Sequence, residues 1–301
     1  MDWRLRGAID RALGVVPGGR RLHARFELRS VDMGALCDLQ VSDWQAIMSR
    51  MRACGIEVAG ARIVELGTGA CPTVPLCMYL AGAAKVFTFD RERRADAGLV
   101  CELADRLQAH VALIARESGR SISDVEGHQG ALTHAVGRGV TLMVATDNVV
   151  DYRAPADASS TSLAEASVDV IVSRSQLEHV PPPALAAGFA EARRILRPGG
   201  LVVHTIDCAD HYATSDHRRG PLDYLALSDA EWARWNTAFL YQNRLRAKDF
   251  ADLAREAGFT VELAQPRRRA SLEGIAPAPR FAQYSPDELA ITSFDLVGRK
   301  P

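Results

Sequence analysis

The chain has 301 residues, of which 48% are hydrophobic and 24% are charged, with a formal net charge of −1. This length allows one large domain or one domain with insertions. The balanced charge gives no basic excess for binding nucleic acid, and no apolar run is long enough to span a bilayer. The six cysteines show no C-x-x-C pair and no metal-ligand spacing, which favours reduced thiols. We therefore predict a cytoplasmic protein with no nucleic-acid partner and no membrane span.

The first sixty residues predict a helical preamble, residues 1–60. Residues 3–14 can form an amphipathic helix whose apolar members are Trp3, Leu5, Ile9 and Leu13. Ser42-Asp43-Trp44-Gln45 has the pattern of a capping box, which predicts a helix from there to about Cys54. Two interpretations stay open. In the first, the preamble packs beside the first strand and covers the ligand there. In the second, it only packs against the rest of the fold and has no role in binding.

The most informative stretch is Ile63-Val64-Glu65-Leu66-Gly67-Thr68-Gly69. Its apolar, β-branched first half is typical of a buried parallel strand. Gly67 and Gly69 allow a tight turn with positive φ and let a ligand approach the bare backbone. Prolines follow, and these are tolerated in the first turn of a helix. Together these features predict a nucleotide-type crevice at the carboxyl end of a parallel sheet.

The side chains around this turn argue against a dinucleotide. The dinucleotide fingerprint places its third glycine at position 72, which is Pro72 here. Glu65 would repel a diphosphate but suits a ligand that carries an ammonium and a sulfonium. The stretch resembles motif I of the class I S-adenosylmethionine (SAM)-dependent methyltransferases, acid-x-Gly-x-Gly-x-Gly, with Cys71 at the usual third glycine. The resemblance implies that SAM is the cofactor and that its site includes Glu65, Gly67, Thr68 and Gly69.

A second strand is predicted at Lys85-Val86-Phe87-Thr88-Phe89, and it ends on Asp90. Asp90 lies about twenty residues beyond the glycine turn, where an acid that accepts the ribose hydroxyls is expected. Arg91, the next residue, is included in the predicted cofactor site.

Residues 94–137 predict a helical insert, with Gly119 ending its first helix and a second helix from Asp124 to Val136. We expect the insert to be structural. The alternative is a contact between two copies of the chain, so a homodimer stays open.

The third strand is expected within Val149–Ala154. In the methyltransferase family an acid followed by a small residue after this strand contacts the adenine, which implies Asp157 with Ala158. Asp147 and Asp151 remain alternatives.

Val168–Ser173 predicts a buried fourth strand, and the following Ser173-Arg174-Ser175-Gln176-Leu177-Glu178-His179 resembles the stretch after strand four in the family. The resemblance implies that Ser173 and Arg174 contact the cofactor. It also implies that His179 orients the loop, touches the methionine end or contributes to the substrate site. A helix at Ala184–Leu196, the family's familiar Leu-Arg-Pro-Gly-Gly and a fifth strand at Leu201–Ile206 follow.

An insertion rich in aromatic residues is predicted at residues 207–245. Ser228-Asp229-Ala230-Glu231 is a capping box, and Trp232, Trp235 and Phe239 follow at helical spacing. This face is either a core face or a lid that shapes an apolar or planar substrate pocket. In the second interpretation Tyr212, Trp232 and Trp235 bind substrate.

The last predicted elements are a helix at Ala247–Ala257 and strands at Thr260–Leu263 and Thr292–Gly298, with Arg267-Arg268-Arg269 in the loop between the two strands. The arginines form a solvated surface or meet an anionic substrate or carrier. The predicted fold is α/β, a single domain over residues 1–301 with a seven-stranded, mostly parallel, Rossmann-like sheet and helices on both faces.

The resemblance implies methyl transfer by in-line attack on the SAM methyl group, with a base where the nucleophile carries a proton. The Asn/Asp-Pro-Pro-aromatic loop of nucleic-acid amine methyltransferases is missing after strand four, so we expect a small-molecule acceptor and O- or N-methylation. His211 with Asp210 is the predicted base, because a neighbouring carboxylate can orient an imidazole. Asp216-His217 has no distinctive metal spacing, and no metal is predicted.

Two other classes stay open from the sequence. A SAM-binding, non-catalytic partner subunit would keep the glycine turn and lack an acceptor pocket. An NAD(P)-dependent Rossmann oxidoreductase is disfavoured by Pro72 and Glu65.

Overall fold

Seven strands of the computed structural model, which describes residues 1–19, 23, 32–269 and 271–301, form one sheet. The strands are β1 Arg62–Leu66, β2 Lys85–Phe89, β3 Val150–Arg153, β4 Val168–Arg174, β5 Leu196–Asp207, β6 Thr260–Arg268 and β7 Ile291–Arg299. Their order is β3-β2-β1-β4-β5-β7-β6, and β7 alone runs antiparallel to its neighbours β5 and β6. The predicted α/β fold with a mostly parallel sheet is confirmed.

Helices cover both faces of this sheet, and others pack around the insertion at residues 207–245. The helices of the described residues are α1 Trp3–Val15, α2 Met33–Ala53, α3 Thr73–Leu80, α4 Ala97–Arg106, α5 Val111–Ser118, α6 Ile122–Gly137, α7 Leu142–Ala145, α8 Pro182–Ile195, α9 Asp229–Trp235, α10 Ala247–Glu256 and α11 Pro286–Leu289. No helix of the described ranges is both long and apolar enough to cross a bilayer. The part of the predicted preamble at 20–22 and 24–31 lies outside the described residues.

The alternation of side chains along β1 explains the two-faced core. Ile63 and Val64 are both fully buried, yet they belong to different hydrophobic clusters, because successive strand residues point to opposite faces. The cluster around Ile63 contains side chains of α2 to α6, and the cluster around Val64 contains side chains of α8 and α10. Parallel strands buried on both faces have few polar positions, as their sequences predicted.

A third cluster lies under the insertion at residues 207–245 and contains Trp3, Tyr212, Tyr224, Trp232 and Phe281. Helix α1 therefore packs against α9, whereas α2, the other helix of the predicted preamble, shares the hydrophobic cluster of Ile63 on β1. Its predicted apolar members Leu5 and Ile9 are 55% and 41% exposed.

Several predicted boundaries shift in the structure. Ser42 lies inside α2, whose N-cap is Asp32, so the prediction of a helix start at Ser42 was wrong. The Asp32 carboxylate accepts hydrogen bonds from the backbone N–H groups of Gly34 and Ala35, at 2.8 and 3.1 Å. The capping box at Ser228 is confirmed, but α9 ends at Trp235, before Phe239. β6 extends to Arg268, which places the arginines at a strand end rather than in a loop.

Candidate functional site

The glycine turn after β1 is the first element of the site. Gly67 and Gly69 have φ values of 81° and 67°, which L side chains rarely adopt. The Gln176 side chain packs over Gly67 so closely that a Cβ atom there would lie 2.2 Å from Gln176 Oε1. The N–H of Gly69 donates to the Asp90 carboxylate at 2.7 Å, which fixes that carboxylate beside the turn.

Glu65 is buried behind this turn. Its carboxylate accepts hydrogen bonds from the hydroxyls of Thr68 and Thr88, at 3.1 and 2.5 Å. Burial raises the pKa of Glu65 to about 7, although both hydroxyls favour the ionised form. This carboxyl group therefore titrates near neutral pH inside the protein.

A cavity of about 510 Å³, here the first cavity, opens at the carboxyl ends of β1 to β4. Its volume lies in the ordinary range for small-molecule sites. Five of the predicted cofactor residues line it, namely Gly67, Asp90, Arg91, Asp157 and Ala158. The Asp157 carboxylate accepts from the N–H and the hydroxyl of Ser159, both at 2.8 Å, and these hydrogen bonds lower its pKa. Much of the remaining wall is apolar, with Leu66, Phe89, Leu177, Leu185 and Phe189.

Ser173 and Arg174 were predicted to contact the cofactor, and neither lines the first cavity. The Ser173 hydroxyl is buried and lies 2.7 Å from Nδ1 of His204, a cavity-lining residue whose pKa burial lowers to about 3. Arg174 forms an ion pair with Asp43 of α2 at 2.6 Å. It lines a second cavity, not the first.

Glu178, His179 and His211 come together at the carboxyl ends of β4 and β5. One ligand atom from each lies within 4.8 Å of the others, a set that can hold a proton or a divalent cation. His179 Nδ1 lies 2.6 Å from the Tyr241 carbonyl oxygen, so Nδ1 carries the hydrogen and Nε2 is left as an acceptor. Burial raises the pKa of Glu178 to about 8. Sequence reasoning missed Glu178, although it precedes His179 directly.

Asp210 does not orient His211, contrary to the prediction. The Asp210 carboxylate accepts from Arg219 Nε at 2.9 Å and from the Tyr212 N–H at 3.0 Å. The carboxylate that faces His211 is Asp207, whose Oδ2 lies 3.5 Å from His211 Nε2. Asp207 lies four residues before His211, and that spacing was the available signal.

The predicted substrate-binding aromatics form core instead. The Tyr212 hydroxyl donates to the Trp235 carbonyl oxygen at 2.6 Å, and the Trp232 indole N–H donates to the Gln242 carbonyl oxygen at 3.2 Å. Trp3 packs on Tyr212 and on Trp235, with ring centroids 5.5 and 5.2 Å apart. None of Tyr212, Trp232 and Trp235 lines either cavity, and their packing agrees with the core interpretation rather than with a lid.

Comparison with known protein families identifies the family to which the chain belongs. Residues 42–264 match the model of a family described as a methyltransferase domain, which covers most of the chain and contains β1 to β5 with both glycines. The chain belongs to this family. It is a SAM-dependent methyltransferase of class I and its cofactor is SAM, as the sequence predicted. The nicotinamide-dependent alternative is therefore set aside.

The solved structures that resemble this chain are distant from it in sequence. A SAM-dependent methyltransferase from Mesorhizobium loti is 18% identical, with 84% of this chain and 96% of that chain covered and a TM-score of 0.44. Phosphoethanolamine N-methyltransferase 2 of Haemonchus contortus, in complex with SAM, is 15% identical, with 86% and 52% covered and a TM-score of 0.47. The [4+2]-cyclase SpnF is 14% identical, with 85% and 81% covered and a TM-score of 0.48. No curated protein matches the chain.

Proposed function

We propose that the first cavity binds SAM and that the enzyme transfers its methyl group to the oxygen or nitrogen of a small molecule. The observation that supports the cofactor site best is the convergence of Gly67, Asp90 and Asp157 on one cavity. These residues follow β1, β2 and β3, and ligands of open α/β sheets bind at the carboxyl ends of the strands.

The proposed contacts follow from the chemistry of each group. The two oxygens of Asp90 each accept one backbone N–H, from Gly69 and Glu92, and each has a second lone pair for a ribose hydroxyl. Asp157 faces the cavity with lone pairs for the exocyclic amine of adenine. Ionised Glu65, behind the turn, favours a cationic ligand in front of it.

The acceptor is proposed to lie beside His211, where β4 and β5 end. SAM supplies a methyl group that the sulfonium already activates. His211 takes the proton of an acceptor hydroxyl, and Asp207 orients the imidazole and stabilises its cationic form. Neutral His179, whose ring centroid lies 4.9 Å from that of His211, orients the acceptor or the loop through its free Nε2. A small acceptor agrees with the formal net charge of −1, which gives no overall basic excess for nucleic acid.

Two measurements test this proposal together. A ligand at a hundred times its dissociation constant stabilises a protein by about 2.7 kcal/mol, so SAM or its demethylated product S-adenosylhomocysteine should raise the melting temperature, and NADH should not. Transfer of a labelled methyl group from SAM should occur to members of a panel of small hydroxyl and amine compounds. A melting shift with NADH alone, or methylation restricted to added RNA, DNA or protein, would contradict the proposal.

A further inference from the structure

A second cavity of about 420 Å³ lies beside the proposed reaction site, at the ends of β4 and β5 next to β6 and β7. Its charged lining consists of one acid, Asp207, and four arginines, Arg174, Arg267, Arg268 and Arg269. Hydroxyl-bearing residues complete its polar wall, namely Ser175, Thr205, Thr292 and Ser293. A concave site with this lining carries an excess of positive charge.

Two of these four arginines have no ion-pair partner among the described residues. Arg174 is paired with Asp43, at 2.6 Å. Arg267 and Arg268 are exposed and make no ion pair within the part of the chain that the structure describes. Arg269 Nη1 is buried without a hydrogen bond, and its ion pair with a carboxylate oxygen of Asp223 is long, at 4.0 Å. A buried donor without an acceptor costs free energy, and a bound oxyanion would supply the acceptor.

The second cavity also lies next to residues of the proposed reaction site. Ser175 lines it while the next residue, Gln176, lines the first cavity, so the two cavities meet at the segment after β4. Asp207 lines the second cavity and faces His211. A molecule in the second cavity would therefore lie next to Asp207, the carboxylate that faces His211.

We propose that the second cavity binds an anionic group, a carboxylate or a phosphate, of the methyl acceptor. Guanidinium groups match both oxyanions because their planar donors form paired hydrogen bonds with them. This inference rests on the proposed function, since it places the acceptor between the arginines and His211. It narrows the acceptor from any small molecule to a small organic acid or phosphate ester.

The test measures anion binding directly, without an activity assay. The protein is first saturated with S-adenosylhomocysteine and then titrated by calorimetry with benzoate, with inorganic phosphate and with neutral benzamide, at constant ionic strength. We expect benzoate or phosphate to bind and benzamide not to bind. Stronger binding of phosphate would assign a phosphate ester, and stronger binding of benzoate would assign a carboxylic acid.

Substitutions distinguish anion binding in the second cavity from general attraction to surface charge. Arg267→Gln with Arg269→Gln should weaken anion binding about tenfold to a hundredfold, the contribution of charge-assisted hydrogen bonds. Arg255→Gln is the matched control, because Arg255 is half exposed on α10 and pairs with Asp252. Arg269 packs against Gly220, so replacing Arg269 can unfold the protein. In that case Arg267→Gln is measured as a single variant, because Arg267 is exposed.

Equal anion affinity in Arg267→Gln and Arg255→Gln would overturn the proposal, and so would benzamide binding as tightly as benzoate. Affinity for S-adenosylhomocysteine is measured first in every variant and should not change. If the unaltered protein did not bind S-adenosylhomocysteine, that result would count against the proposed SAM site instead. Failure of the SAM site and failure of the anion site are therefore distinguishable.

Discussion

Replacing Glu65 with glutamine should remove a pH dependence of stability that this one carboxyl group creates. In the folded protein burial raises its pKa from the ordinary 4.5 to about 7. Below pH 4.5 both the folded and the unfolded chain bind the proton, so the group has no effect. Between pH 4.5 and 7 the folded state keeps the proton that the unfolded state releases. Stability therefore falls as the pH rises through this window, and it is constant above it.

The size of the effect follows from the same pKa difference. A rise from 4.5 to about 7 corresponds to roughly 3 kcal/mol of unfolding free energy, lost in full by pH 8. Glu65→Gln keeps the shape of the side chain and an oxygen acceptor for the Thr68 and Thr88 hydroxyls, but it cannot ionise. Relative to the unaltered protein, the variant should therefore gain roughly 3 kcal/mol between pH 4.5 and pH 8.

Isothermal denaturation in urea at half-unit steps from pH 4.5 to 8 measures this gain. All other titrating groups are shared, so they cancel in the difference between the two proteins. Glu256→Gln, at an exposed position on α10, is the control and should show a constant difference. A difference between Glu65→Gln and the unaltered protein that stayed constant with pH would contradict the raised pKa of Glu65.

The proposed contacts with cofactor and acceptor give two further predictions. Asp90→Ala should weaken S-adenosylhomocysteine binding by about 1.5–3 kcal/mol, the range for hydrogen bonds to a charged group, and calorimetry showing full affinity in a folded variant would remove Asp90 from the site. His211→Ala should lower turnover about 10²–10⁴-fold and leave S-adenosylhomocysteine affinity nearly unchanged, whereas His179→Ala should disturb cofactor binding or stability. Full turnover in His211→Ala would mean that proximity alone suffices or that the base is another group.

The sheet could be predicted because its signals are local. β1 and β2 are short apolar runs that end at a glycine turn and at Asp90, and the structure keeps both bounds within one residue. Val168–Ser173 and the Arg-Pro-Gly-Gly turn likewise identify β4 and the approach to β5. Strand periodicity and turn residues act over a few positions, so one sequence is sufficient to find them.

The roles of polar and aromatic side chains could not be predicted where a residue distant in sequence determines their contacts. Asp210 is adjacent to His211 in sequence, but Arg219 holds its carboxylate and leaves Asp207 to face the imidazole. The spacing of Trp232 and Trp235 fits either a core face or a lid, and Trp3, more than two hundred residues earlier, packs on Trp235. No local pattern contains these contacts, because side-chain direction depends on which distant groups share the space.

The distribution of charge around the end of β4 connects the two proposed sites. Carboxylates of Asp90 and Asp157 line the first cavity, while four arginines line the second. SAM carries positive charge, and the proposed acceptor carries negative charge, so each ligand has lower electrostatic energy in its own cavity than in the other. Attraction between the two bound ligands would then favour their approach across the segment after β4. His211, which faces Asp207, lies beside His179 of that segment, and we propose that it takes the proton of the acceptor as the methyl group is transferred.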